Sequence, residues 1–165
     1  MKNILTILCL VLLSSCSQEP EVFTGPFVTR DGVKYDQNTN EPVTGIEVVF
    51  HENGQLSSRT SYIGGEENGL LELFHENGQL RLRTNNKDGE RDGLFESFRE
   101  NGQLQTRGSY KDGQSDGLWE SFYGNGQLMS RMNTKDGERD GLSEEFDENG
   151  NLVETKTYRN GVLVE

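Results

Sequence analysis

The sequence predicts an all-β fold: an elongated, single-layer, twisted antiparallel meander built from 24-residue β-hairpin repeats. Three observations lead there. A Phe-x-x-Asn-Gly-Gln-Leu stretch recurs with its phenylalanine at 50, 74, 98, 122 and 146, a constant step of 24; only the last copy changes its Gln, to Asn151. Gly45, Gly69, Gly93, Gly117 and Gly141 keep the same step, each five residues ahead of the Phe. A Lys-Asp-Gly turn at 87–89, 111–113 and 135–137 closes the unit, with relics at Gly64-Gly65 and Arg159-Asn160-Gly161. A fixed period of this length marks a repeat array.

The chain opens with a different kind of segment. Lys2 is a charged start, Ile4 to Leu13 an apolar run, and Leu13-Ser14-Ser15-Cys16 a processing site. The run is too short to span a bilayer as a helix. Residues 1–15 are therefore expected to be a signal peptide. Residues 16–26 are read as a lipidated Cys16 followed by a polar tether, and residues 27–165 as the repeat domain. Leu-Ser-Ser-Cys resembles a bacterial lipobox, which implies acylation of Cys16; several acyl chains make a stable anchor where one is marginal. Ser17 after the cysteine is similar to outer-membrane sorting signals of Gram-negative bacteria. The other cysteine, Cys9, lies in the segment to be removed, so no internal disulfide or thiolate metal site is expected. Ordinary secretion with a free Cys16 is the alternative.

Composition fits a thin sheet. Apolar residues are 31% of the 165-residue chain and glycines number 20, which favours many turns over a thick core. A net charge of −12 argues against nucleic-acid binding.

Phe27 to Tyr35 reads as an atypical first hairpin, and Asp36 to Pro42 as the loop after it. Within a repeat, residues 93–116 show two alternating runs separated by Glu-Asn-Gly and closed by Lys-Asp-Gly. No window has helical spacing, and glycine after Asn or Asp is a strong hairpin signal because it tolerates positive φ. Loop length sets what faces what. A two-residue turn at Asn101-Gly102 would place Glu96 opposite Arg107. A three-residue loop, Glu100-Asn101-Gly102, places Phe98 opposite Leu104 and gathers Leu94, Phe98, Leu104 and Tyr110 on one face. Register follows the buried face, so the three-residue loop is preferred.

Carried along the strands, that register puts Arg107 opposite Phe95, Arg131 opposite Trp119, Arg83 opposite Leu71 and Arg59 opposite Glu47. Thr155 then faces Ser143, and Glu144 faces Glu154. It also leaves Glu72, Glu96, Glu120 and Glu144 on the apolar face without partners, where carboxylates are costly. A lone hairpin is marginal in water, so the repeats must stack. Tyr158 to Val164 is expected to close the far end, since edge strands need protection.

The pattern Phe-x-x-Asn-Gly-Gln-Leu, then Tyr-Lys-Asp-Gly-x-x-Asp-Gly-Leu-x-x-x-Phe, resembles the variant MORN repeat. Successive copies, and the opening Arg30-Asp31-Gly32…Tyr35…Asn40-Glu41-Pro42-Val43-Thr44-Gly45, are similar to YwqK-family antitoxins. The resemblance covers residues 27–165. It implies a protein that neutralises a toxin by binding it.

Chemistry is sparse. His51 and His75 share one turn slot, ~10 Å apart across two strands, and are read as exposed turn residues. The acidic turns lack the ligand spacing of calcium loops, and no nucleophile elbow or phosphate loop is present. No enzyme activity, metal or cofactor is expected. The candidate partner-binding site is the column Leu71, Phe95 and Trp119 with Arg83, Arg107 and Arg131, because exposed aromatics and arginine are enriched at binding hot spots. The expected function is a lipid-anchored module that binds a protein partner, a toxin or an adaptor's target, at the bacterial envelope. A structural spacer or coat is the alternative, and a glycan or lipid binder stacking on Phe95 and Trp119 a third.

Overall fold

The computed structural model describes residues 20–165, so the signal peptide and Cys16 lie outside the described residues. The fold is the expected meander. Fifteen strands are present among the described residues: β1 (Val22–Phe23), β2 (Phe27–Arg30), β3 (Val33–Asp36), β4 (Gly45–Phe50), β5 (Leu56–Ile63), β6 (Glu66–Phe74), β7 (Leu80–Lys87), β8 (Glu90–Phe98), β9 (Leu104–Lys111), β10 (Gln114–Ser115), β11 (Gly117–Phe122), β12 (Leu128–Lys135), β13 (Glu138–Phe146), β14 (Leu152–Arg159) and β15 (Val162–Leu163). Thirteen form one open sheet, with β4 to β14 neighbouring in chain order except that β9 neighbours β11 and the short β10 pairs only with β9; β2–β3 pair separately.

The three-residue loop is present. Phe98 pairs with Leu104, Gly102 sits at φ 80°, and its N–H donates to Arg99 O at 2.9 Å. One step further the register changes. Ser97 pairs with Thr106 and Glu96 with Arg107, so Gln105 is an extra residue on β9. Such a bulge leaves one residue unpaired and moves everything beyond it to the register of a two-residue turn. Every hairpin repeats it, with Ser57, Arg81, Met129 and Val153 in the same place.

This bulge overturns the expected column. Arg107 faces Glu96 rather than Phe95, Arg131 faces Glu120 rather than Trp119, and Arg83 faces Glu72 rather than Leu71. Likewise Arg59 faces Val48 and not Glu47, Thr155 faces Glu144, and Glu154 faces Glu145. Because successive side chains alternate between faces, Leu71, Phe95 and Trp119 lie on one face of the sheet. Arg83, Arg107 and Arg131 lie on the other. Tyr110, expected beside Leu94 and Phe98, moves to the face of Phe95.

A second irregularity restores the step between hairpins. Thr84 pairs with Phe95 but Asn86 with Arg91, so Asn85 stands opposite three residues, Asp92, Gly93 and Leu94. Gly93 adopts φ 106°, a backbone conformation that side chains rarely tolerate. The periodic glycines at 69 and 141 fill the same role at φ 102° and 107°. The Lys-Asp-Gly turns are two-residue loops with both central residues at positive φ, Asp88 at 50° and Gly89 at 82°, as hairpin twist favours.

The two ends differ as expected. The first hairpin docks on the first repeat through Lys34, whose N–H donates to Gly65 O at 2.8 Å. Its Nζ bonds Glu47 at 2.6 Å and Tyr62 at 3.0 Å. Burial works to lower the Lys34 pKa, but these bonds outweigh it and hold the pKa above the ordinary value; burial pushes the Tyr62 phenol up. The stretch read as a tether is in part structured. Val22–Phe23 pairs in parallel with Ile46–Glu47, and Phe23 packs edge-on against Phe27 at 5.3 Å. The apolar Val-Phe pair inside a polar stretch anchors it. At the other end β15 pairs with Tyr158–Arg159.

Candidate functional site

The first face carries a charge ladder. Val48, Arg59, Glu72, Arg83, Glu96, Arg107, Glu120, Arg131, Glu144 and Thr155 are register neighbours in ten successive strands, so eight charges alternate in one row. The ion pairs close between hairpins: Arg59–Glu72 at 2.5 Å, Arg83–Glu96 at 2.6 Å, Arg107–Glu120 at 2.5 Å, and Arg131–Glu144. The carboxylates that had no partner in the expected register thus lie between two guanidinium groups each, except Glu144 at the end of the row. The arginines shield them: the glutamate side chains expose 10–18%, the arginines 42–51%. Hydrogen bonding from Arg131 holds the Glu144 carboxyl below its ordinary range, and the bond to Glu120 raises Arg107. Arg107 and Arg131 also lie 5.7 Å from the rings of Phe122 and Phe146. The aromatic neighbours of these arginines are therefore Phe122 and Phe146, not Phe95 and Trp119.

Beside the ladder on the same face stand Leu94, Leu118 and Leu142, at equivalent positions in three successive hairpins and exposed by 45, 47 and 49%.

The opposite face carries an aromatic cluster. Phe95, Tyr110 and Trp119 meet with centroid distances of 5.7, 5.4 and 5.2 Å. Arg91 lies over both Phe95 and Tyr110, at 5.6 and 5.1 Å, and donates to the Tyr110 hydroxyl at 3.0 Å. Trp119 covers Gly108 so closely that a Cβ there would meet its ring, with Cε3 at 2.6 Å. Equivalent positions hold Thr60, Thr84, Met132 and Lys156, so the missing side chain at 108 is what admits the indole. Tyr110, Arg91 and Gly108 were not legible as a group. The one available signal was that Gly108 falls outside the glycine period.

The turns are tied along the array. His51 Nε2 bonds Phe74 O at 3.0 Å, His75 Nε2 bonds Phe98 O at 3.0 Å, Arg99 donates to Phe122 O at 2.8 Å, and Tyr123 Oη donates to Phe146 O at 2.8 Å. The histidines are half-buried ties between repeats, not exposed turn residues. The slot after each Phe holds a side chain that can donate at His51, His75, Arg99 and Tyr123, a pattern readable in the sequence. Tyr123→Phe removes one donor with little change of shape and leaves a carbonyl unpaired. It is expected to cost about 1 kcal/mol, read as a lower urea midpoint with unchanged slope.

Among the described residues no group of three His, Cys, Asp or Glu side chains could hold a metal ion. No helix is long and apolar enough to cross a membrane there.

These features define a class: an open, single-layer β-hairpin repeat protein whose surfaces are set by inter-repeat register. Repeats of the MORN repeat variant match residues 43–63, 67–85, 91–112, 115–136 and 139–160, together more than half of the chain. The chain belongs to that family. Comparison with curated proteins finds no match to the chain.

Proposed function

We propose that the protein is a non-catalytic, lipid-anchored module that binds a protein partner at the bacterial envelope through its ladder face. The observation that carries this reading is the row Leu94, Leu118 and Leu142, exposed by almost half and aligned beside half-exposed arginines. Single exposed apolar residues need no explanation, but exposed leucines repeated on every second strand, with Ser109 and Asn133 between them and charges beside them, fit a protein interface. Of the column proposed from sequence, Arg83, Arg107 and Arg131 stay as partner-binding candidates. Leu71, Phe95 and Trp119 become packing residues of the other face. The likeness to YwqK-family antitoxins supports a toxin or another effector as the partner, and the lipobox-like Leu13-Ser14-Ser15-Cys16 supports an outer-membrane anchor.

A second reading, a structural envelope spacer, draws on the ladder, whose charges pair with one another within the chain, and on the aromatic cluster, whose rings pack on one another on the opposite face. Crosslinking in envelope extracts separates the two. The full chain is compared with a Leu94→Ser, Leu118→Ser, Leu142→Ser variant and with a Phe95→Ala variant, after all three show the same β-sheet circular dichroism. Loss of one defined crosslinked partner in the leucine variant alone supports the binding module. The same crosslinks in all three, or none in any, supports the spacer.

A further inference from the structure

Five Asn-Gly turns give this chain an internally controlled set of one reactive dipeptide. The backbone nitrogen after an asparagine can attack the side-chain amide carbon, and glycine at that position adds no Cβ to hinder the approach. In all five turns the glycine N–H is engaged alike, donating to the carbonyl three residues back at 2.8–3.0 Å. The nucleophile is therefore held equally. The amide under attack is not.

At Asn53, Asn77 and Asn125 the side chain is held at both ends. Oδ1 accepts from the backbone N–H two residues on, at 3.0, 3.0 and 2.9 Å. Nδ2 reaches across to the next turn, donating to Glu76 O, Glu100 O and Glu148 O at 2.7, 2.7 and 2.9 Å. Asn101 keeps the first bond, from Gln103 N–H at 3.1 Å, but its Nδ2 turns back to Gln103 Oε1 at 2.8 Å. Gly124 holds the corresponding place in the next turn, and its backbone carbonyl takes no bond from Asn101. At Asn149 both ties are gone. Asp147 Oδ1 takes the amides of Asn149 and Asn151 at 2.9 and 2.8 Å. Among the described residues the exposed Asn149 side chain makes no hydrogen bond of its own.

We propose that Asn149-Gly150 is the preferential site of spontaneous deamidation among these five turns, and Asn101-Gly102 the second. The repeat array itself protects Asn53, Asn77 and Asn125. Gly150 N, having lost its proton to solvent base, bonds to Asn149 Cγ. The Cγ–Nδ2 bond breaks, ammonia leaves, and water opens the cyclic imide to aspartate or isoaspartate. At Asn101 the product carboxylate cannot donate, and an isoaspartate lengthens the backbone inside a three-residue loop. The array is thus least protected at its third and fifth Asn-Gly turns. Two further Asn-Gly pairs stand outside this comparison: Asn68-Gly69 lies within β6, with Asn68 Nδ2 donating to Asp88 Oδ1 at 3.1 Å, and Asn160-Gly161 lies in a different, left-handed turn, with Asn160 at φ 47°.

The test follows the conversion of each asparagine by peptide mass mapping, with the full chain held folded in mildly alkaline buffer. The expected result is several-fold faster conversion at Asn149 than at Asn53, Asn77 or Asn125, with Asn101 between, and convergence of the five rates in urea. In Asp147→Ala, Asn149 Oδ1 regains the Asn151 amide and its conversion slows several-fold with unchanged circular dichroism. Equal rates in the folded chain, or an Asn149 rate indifferent to Asp147→Ala, overturn the proposal.

Discussion

Gly108→Thr is expected to destabilise the protein by about 2–3 kcal/mol, as overpacking does where the neighbour cannot retreat. Gly108 is not at positive φ, so the penalty is steric rather than conformational. The obstacle is the Trp119 ring, itself fixed by Phe95 and Tyr110. Threonine is a strong β former and is the resident at the equivalent positions 60 and 84, so propensity alone predicts the opposite sign. The junction one repeat earlier shows the cure, since Thr84 pairs there with Phe95. Trp119→Phe in the Gly108→Thr background copies that junction. It is expected to recover most of the loss, with a coupling of roughly 1–2 kcal/mol in a double-mutant cycle of urea unfolding. Additive losses would mean that Trp119 is not what excludes a side chain at 108.

What the sequence made legible depended on residue types that recur. Hairpin number, turn chemistry and the Phe98–Leu104 pairing all follow from Phe, Asn-Gly and Asp-Gly on a strict period. The bulge was not legible, because its extra residue is Ser57, Arg81, Gln105, Met129 and Val153 in turn, with no shared chemistry. One unpaired residue per hairpin was enough to send the arginines to the opposite face from Phe95 and Trp119. The misfit was visible beforehand in the four glutamates that had no partners on an apolar face. Their unpaired charge was the sign of a register wrong by one residue. The periodic glycines were visible too, but a positive-φ residue facing a single strand position cannot be distinguished by sequence from an ordinary turn glycine. The candidate site was therefore legible as a set of residue types and not as a surface.

The ladder makes a prediction that an isolated ion pair does not. Glu96 is flanked by Arg83 and Arg107, and Arg83 in turn by Glu72. Glu96→Gln removes charge from one rung and is expected to cost about 1 kcal/mol, the upper range for a half-exposed pair. Glu96→Arg sets three like charges side by side and is expected to cost about 2 kcal/mol, since like charges directly opposite one another are unfavourable. Adding Arg83→Glu restores an opposite-charge pair between positions 83 and 96. For an isolated bridge that swap would recover the wild-type stability. Here the carboxylate brought to position 83 faces Glu72, and the guanidinium brought to position 96 faces Arg107. The double variant should therefore remain about 1–2 kcal/mol less stable. The deficit should shrink as salt screens the half-exposed row. Urea midpoints at low and high ionic strength read both effects. Full recovery in the swapped variant would show that the rungs act as separate pairs, and would remove the alternating row as a determinant of how these repeats choose their register.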